Sequence, residues 1–175
     1  QVEARVHPVM VPSEALIANI HDVFNAIEVK GSSVGTQVFY GRGAGQMPTA
    51  SAVVADMVEL AERRNSGAGP AIGDMIIGDE ATSIADMRQV ELRYYLRVLA
   101  CDQPGVLAQI ARVLAEERIS IASVIQKERD LQGGTVPLII VTHEAPEAAM
   151  QRALAALGRL DILEGQARLI RIEAL

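Results

Sequence analysis

Two short segments carry residues whose types and spacing could do chemistry. Gly41-Arg42-Gly43-Ala44-Gly45 lies between a strand-like run and a helix-like run, and so does Asp102-Gln103-Pro104-Gly105-Val106-Leu107. A strand-to-helix turn leaves the first helical amides without carbonyl partners, and the helix dipole adds partial positive charge there. Either turn could therefore hold a carboxylate or a phosphate. The first segment is not a phosphate-binding P-loop, because no Gly-Lys-Ser/Thr follows. It also departs from the dinucleotide fingerprint, with Gln46 where a third Gly or Ala would fall. On its residues alone it is a tight turn or an anion site. Arg42 could meet a phosphate or a neighbouring carboxylate, and the sequence does not choose. In the second segment Asp102 could cap the helix by accepting from its first amides, with Gly105 letting backbone approach a ligand. The same residues could equally serve only the turn.

Other reactive side chains form no constellation. His7, His21 and His143 are far apart and lack metal-ligand spacing. The single cysteine, Cys101, excludes an intramolecular disulfide and a Cys-based zinc site, and it ends an apolar strand pattern as a small hydrophobe would. Thr49 and Ser51 read as helix-start residues, and Asp56 as structural. No Ser-His-Asp set or converging carboxylate pair is visible. No catalytic residue and no metal ligand is assigned.

The elements that must position the two turns follow from periodicity. Alternation at Val2, Ala4 and Val6 predicts a short strand, and Ser13 is expected to cap a turn carrying Leu16, Ile17 and Ile20. Strands are expected over 24–29 and 34–40, around a Gly31-Ser32-Ser33 turn. A helix from Pro48 to Arg64 would bury Val53, Val54, Met57, Val58 and Leu60. Asn65 to Arg88 reads as a linker, with Met75-Ile76-Ile77-Gly78 a short strand or a docked turn. From Gln89 the order is strand (91–100), helix (from Val106), strand (120–128), glycine hairpin (130–134), strand (135–143), helix (146–157), strand (166–173). This βαββαβ order is the ferredoxin-like arrangement, with both helices on one face of an antiparallel sheet. The opposite face would then need cover, which predicts pairing with a second copy. The expected boundaries are 1–64, 65–88 and 89–175.

Composition narrows the partners. The formal charge of -6, with two Lys and fourteen Arg interleaved with acids, argues against nucleic acid. Three Tyr, two Phe and no Trp leave little for base stacking. No apolar run approaches the roughly 20 residues of a membrane span. One cysteine suits a reducing cytoplasm. The opening residues have no signal-peptide character and no initiator Met, so the chain reads as part of a longer protein, starting inside a sheet.

Longer motifs carry a resemblance. Asp102-Gln103-Pro104-Gly105-Val106-Leu107, then Ile110 and Ile119-Ser120-Ile121, resemble the ACT domain family. Val6-His7-Pro8, Asp22-Val23-Phe24-Asn25-Ala26, Phe39-Tyr40-Gly41-Arg42-Gly43-Ala44-Gly45 and Pro48-Thr49-Ala50-Ser51-Ala52-Val53-Val54-Ala55-Asp56 resemble homoserine dehydrogenases. The two together resemble the bacterial form with an appended ACT domain. The resemblance implies an α+β fold: a partial catalytic-domain layer of homoserine dehydrogenase, also involved in dimerisation, followed by a ferredoxin-like ACT domain. It implies NAD(P)-dependent interconversion of L-aspartate 4-semialdehyde and L-homoserine by the whole enzyme, in threonine and methionine biosynthesis. Gly43, then Gly41 and Gly45, would lie near the nicotinamide. Asp102, Gly105, Val106 and Leu107, with Ile119, Ser120 and Ile121, would bind a small amino acid, L-threonine first among them, in a homo-oligomer of at least two copies. The dinucleotide-binding domain and the catalytic Lys are absent, since neither Lys30 nor Lys127 lies in a matching motif. The chain alone is therefore expected to bind no cofactor and transfer no hydride. The alternative is an ACT domain that only holds subunits together.

Overall fold

The computed structural model describes residues 2–67, 83–126 and 134–173. Two compact units emerge, one of Gln1–Pro12 with Thr82–Leu175 and one of Ser13–Ala81. The expected linker strand at Met75–Gly78 and most of the 130–134 hairpin lie outside the described residues.

The larger unit contains β1 (Val9–Met10), β4 (Glu91–Cys101), α2 (Val106–Glu116), β5 (Ile121–Gln126), β6 (Thr135–Thr142), β7 (Ala145–Pro146), α3 (Glu147–Leu157) and β8 (Leu163–Ile172). The smaller contains β2 (Phe24–Gly31), β3 (Gly35–Arg42) and α1 (Gln46–Ser66).

In the larger unit the sheet runs β1-β8-β4-β6-β5, and short β7 pairs with the start of β4. The β8-β4-β6-β5 core is antiparallel, as the βαββαβ order requires. Strict alternation drives it: Leu92, Tyr94, Leu96, Val98 and Ala100 of β4 are buried, as are Val136, Leu138, Ile140 and Thr142 of β6. The helices cover that face with residues spaced three or four apart. Val106, Ile110 and Leu114 come from α2, and Ala149, Met150, Ala153 and Leu157 from α3. All but Val136 and Thr142 join one hydrophobic cluster.

The other face is less apolar than expected. Register places Arg93, Tyr95, Arg97 and Leu99 of β4 there, beside Pro137, Ile139 and Val141 of β6 and Arg168 and Ile170 of β8. Arginines interrupt the face that was expected to need cover.

The chain start also differs from expectation. Val2 makes one parallel bridge to Ile84, with its amide donating to Ser83 O at 2.9 Å. Ladder pairing resumes only at β1, past Pro8, whose nitrogen has no proton to donate. β1 lies parallel to β8, so the first twelve residues pack with the later region.

In the smaller unit β2 and β3 form a hairpin in continuous register from Phe24↔Arg42 to Gly31↔Gly35. A 3-10 turn spans Leu16–Asn19, but Ser13 does not cap it: its hydroxyl donates to Glu14, and its carbonyl accepts from Asn19 Nδ2 at 3.2 Å. Helix α1 starts two residues before Pro48 and buries none of its residues. Val53, Val54, Met57, Val58 and Leu60 are all more than half exposed.

Candidate functional site

The glycine turn of the smaller unit is built by the hairpin. Asn25 pairs with Gly41 across β2 and β3, and the Gly43 amide then donates to Val23 O at 3.1 Å. A side chain at Gly43 would have its Cβ 1.6 Å from Asn25 Nδ2, so only bare backbone fits beneath that amide. Gly45 is the N-cap of α1 at φ +127, a region side-chain-bearing residues avoid. Gly41 has no such constraint, since nothing lies within 4 Å of its Cβ position. Arg42 lies against an aromatic ring. Its guanidinium sits 5.1 Å from the centre of the Phe24 ring, which stacks on Tyr40 with centroids 4.9 Å apart. An open hollow of about 340 Å³ runs along Asn25, Ile27, Phe39, Tyr40 and Gly43. Asn25 and the Phe24–Tyr40–Arg42 stack escaped the sequence reading. Only the hairpin register puts them beside the glycines.

The Asp102 turn belongs to the larger unit. Gly105 at φ +89, not Asp102, occupies the N-cap of α2. Asp102 stands three residues earlier, where its Oδ1 accepts from Gln126 Nε2 at 3.4 Å and its amide donates to Gly134 O at 3.1 Å. The physical reason is the left-handed glycine, which turns the chain into the helix at position 105. Asp102, Gly105, Val106 and Leu107 do share one hollow, of about 90 Å³, with Cys101 and Gln126. Ile119, Ser120 and Ile121 are not brought there. They lead into β5 opposite Thr142, whereas the loop meets the other end of that strand, where Gln126 pairs with Leu138. Ile119 is buried in the core, and Ser120 O accepts from the His143 amide at 2.9 Å. Within one chain, Gln126 is the β5 residue at the site.

A third polar group lies inside the core, away from both turns. Glu147 accepts from Tyr94 Oη at 3.0 Å, Gln151 Nε2 at 2.7 Å and Arg171 Nε at 2.9 Å. Burial alone would raise the Glu147 carboxyl, but hydrogen bonds from Arg171, Gln151 and Tyr94 outweigh it and hold the group below its ordinary range. Burial, then the bond to Glu147, pushes the Tyr94 phenol up. The arrangement pins α3 to β4 and β8, and every partner is internal. Among the described residues no group of three or more His, Cys, Asp or Glu could hold a metal, and no helix is long and apolar enough to cross a membrane.

Two family models match successive parts of the chain. Residues 1–58 match the family model for homoserine dehydrogenase, and residues 94–159 match the ACT domain model. A homoserine dehydrogenase of Pseudomonas aeruginosa is 44% identical over 176 residues, covering 99% of this chain and 41% of that protein. One from Neisseria gonorrhoeae is 40% identical, covering 99% of this chain and 40% of that protein. The crystal structure of a homoserine dehydrogenase from Thiobacillus denitrificans superposes with a TM-score of 0.80 at 38% identity, covering 98% of this chain and 39% of that one. The chain thus spans about two fifths of the length of the relatives it matches. It belongs to the homoserine dehydrogenase family, and its residues 94–159 form an ACT domain.

Proposed function

We propose that the chain is the C-terminal part of a homoserine dehydrogenase that interconverts L-aspartate 4-semialdehyde and L-homoserine with NAD(P), in the cytoplasm, for threonine and methionine synthesis. One observation carries this reading: similarity to named homoserine dehydrogenases runs through 99% of the chain, across both units, and not through the ACT domain alone.

The glycine turn would meet the nicotinamide end of the cofactor, Gly43 first and then Gly41 and Gly45. Bound NAD(P) supplies or takes up the hydride. Bare backbone under Asn25 and the helix start at Gly45 suit one edge of such a group. The fingerprint that grips the rest of a dinucleotide is not in the sequence. The chain therefore contributes an edge of the site and, alone, holds no cofactor and transfers no hydride. The exposed apolar stripe of α1 fits a layer that the remainder of the enzyme, or a second subunit, covers.

The ACT domain would sense L-threonine beside the Asp102 turn. The hollow there, about 90 Å³, is well under the roughly 300 Å³ at which ligand pockets usually begin. A second copy would complete it, with Ile119, Ser120 and Ile121 coming from the partner copy. The competing reading, an ACT domain that only assembles subunits, keeps the pairing and drops the ligand.

The test is a chimera in which these 175 residues replace the matching segment of a relative. NAD(P)-dependent homoserine oxidation by the chimera, and none by the chain alone, is the expected result. A folded but inactive chimera contradicts the assignment.

A further inference from the structure

On the outer face of the ACT sheet Arg97 stands directly opposite Arg168 across β4 and β8. Like charges facing each other on neighbouring strands are destabilising. Among the described residues neither guanidinium has an ion-pair partner.

The register slips immediately beyond it. Leu99 pairs with Glu164, so one residue of β4, Val98, faces three of β8, residues 165–167. Such bulges re-aim side chains and open the sheet locally. Gly165 turns the bulge at φ +70 with nothing within 4 Å of its Cβ position. The result is a hollow of about 300 Å³, lined by Arg97, Leu99, Glu164, Gly165, Gln166 and Arg168. That is more than three times the 90 Å³ beside Asp102.

The charges around this hollow are of both signs and ordered. The two arginines share one rung, and Glu164 sits on the next rung of the same face, about 7 Å along the strand for two residues. Glu164 is held in place by Thr135, whose hydroxyl donates to Oε2 at 2.8 Å. Leu99, 38% exposed, gives the hollow an apolar floor.

We propose that this bulge is a binding site for a free α-amino acid, distinct from the Asp102 turn. The ligand's carboxylate lies across Arg97 and Arg168, and its ammonium meets Glu164. Arg forks suit a planar carboxylate, and binding it removes the repulsion between them. A bare anion would leave Glu164 facing like charge, and a cation would face two arginines. Only a zwitterion with closely spaced charges satisfies all three groups.

The test is amide chemical-shift mapping on the isotope-labelled 175-residue chain. Probes are glycine, L-threonine, lactate (no ammonium) and 1-amino-2-propanol (no carboxylate). The amino acids are expected to shift residues 97–99 and 164–168, with the two controls at least about tenfold weaker. R168Q and E164Q each weaken these shifts about tenfold, while D102A leaves them unchanged. Shifts confined to 102–107 and 126 overturn this site and leave the sensor reading standing. Lactate binding as well as glycine reduces it to an anion site and overturns the assignment. No shift at either place overturns this site and counts against the sensor reading as well.

Discussion

Tyr94 on β4 and Glu147 at the start of α3 are joined by a 3.0 Å hydrogen bond inside the core, and Arg171 of β8 closes on the same carboxylate. Glu147 is only 3% exposed. Removing one partner of such a group strands the others without solvent. Glu147→Ala is expected to destabilise the ACT unit by about 3–5 kcal/mol, and Tyr94→Phe by about 1.5–3 kcal/mol. Chemical denaturation followed by circular dichroism measures both.

The same carboxyl fixes the sign of an acid effect. Its folded value lies below the ordinary 4.5, so its contribution is present above that pH and is lost as pH falls through the depressed folded value. Unfolding free energy should therefore drop below about pH 4.5, and Glu147→Gln should flatten that limb. An unchanged acid limb in the variant would assign the acid sensitivity to other groups.

Gly43 and Asn25 should behave as a coupled pair. A Cβ at position 43 would fall 1.6 Å from Asn25 Nδ2, so Gly43→Ala must displace that side chain. The single variant is expected to disturb the hairpin, and Gly43→Ala with Asn25→Gly to recover most of the loss. A double-mutant cycle by hydrogen exchange should give a coupling of about 0.5–3 kcal/mol.

At Gly105 the cost is conformational rather than steric. Its φ is +89, yet nothing lies within 4 Å of a built Cβ. Gly105→Ala should cost about 1–2 kcal/mol of stability without repacking the core, which thermal denaturation beside an unchanged core NMR spectrum would register.

Much of the larger unit was legible in its sequence because alternation and helical spacing are local signals. Leu92 to Ala100 and Val136 to Thr142 announce two-faced strands, and Val106, Ile110 and Leu114 announce one helix face. The candidate sites were less legible because register decides them. Nothing local says that Gln126, rather than Ile119 to Ile121, reaches the Asp102 turn, or that Arg97 faces Arg168 just before a bulge. Helix α1 marks another limit: its apolar stripe was readable, but a stripe does not say what it packs on, and Val54 and Val58 are exposed. Gly105 as N-cap was hidden for a different reason, since Asp102 has the better capping side chain and only the backbone angle decides.

The measurement closest to the central claim is calorimetric titration of the chain with L-threonine, with L-serine and L-homoserine as comparators. Saturable threonine binding by a dimer is expected, with weaker binding of the comparators at the Asp102 turn, and in Asp102→Ala that component is lost with the dimer and the binding at the β8 bulge intact. A folded dimer that takes up no threonine would contradict the sensor reading and leave the ACT domain as an assembly element.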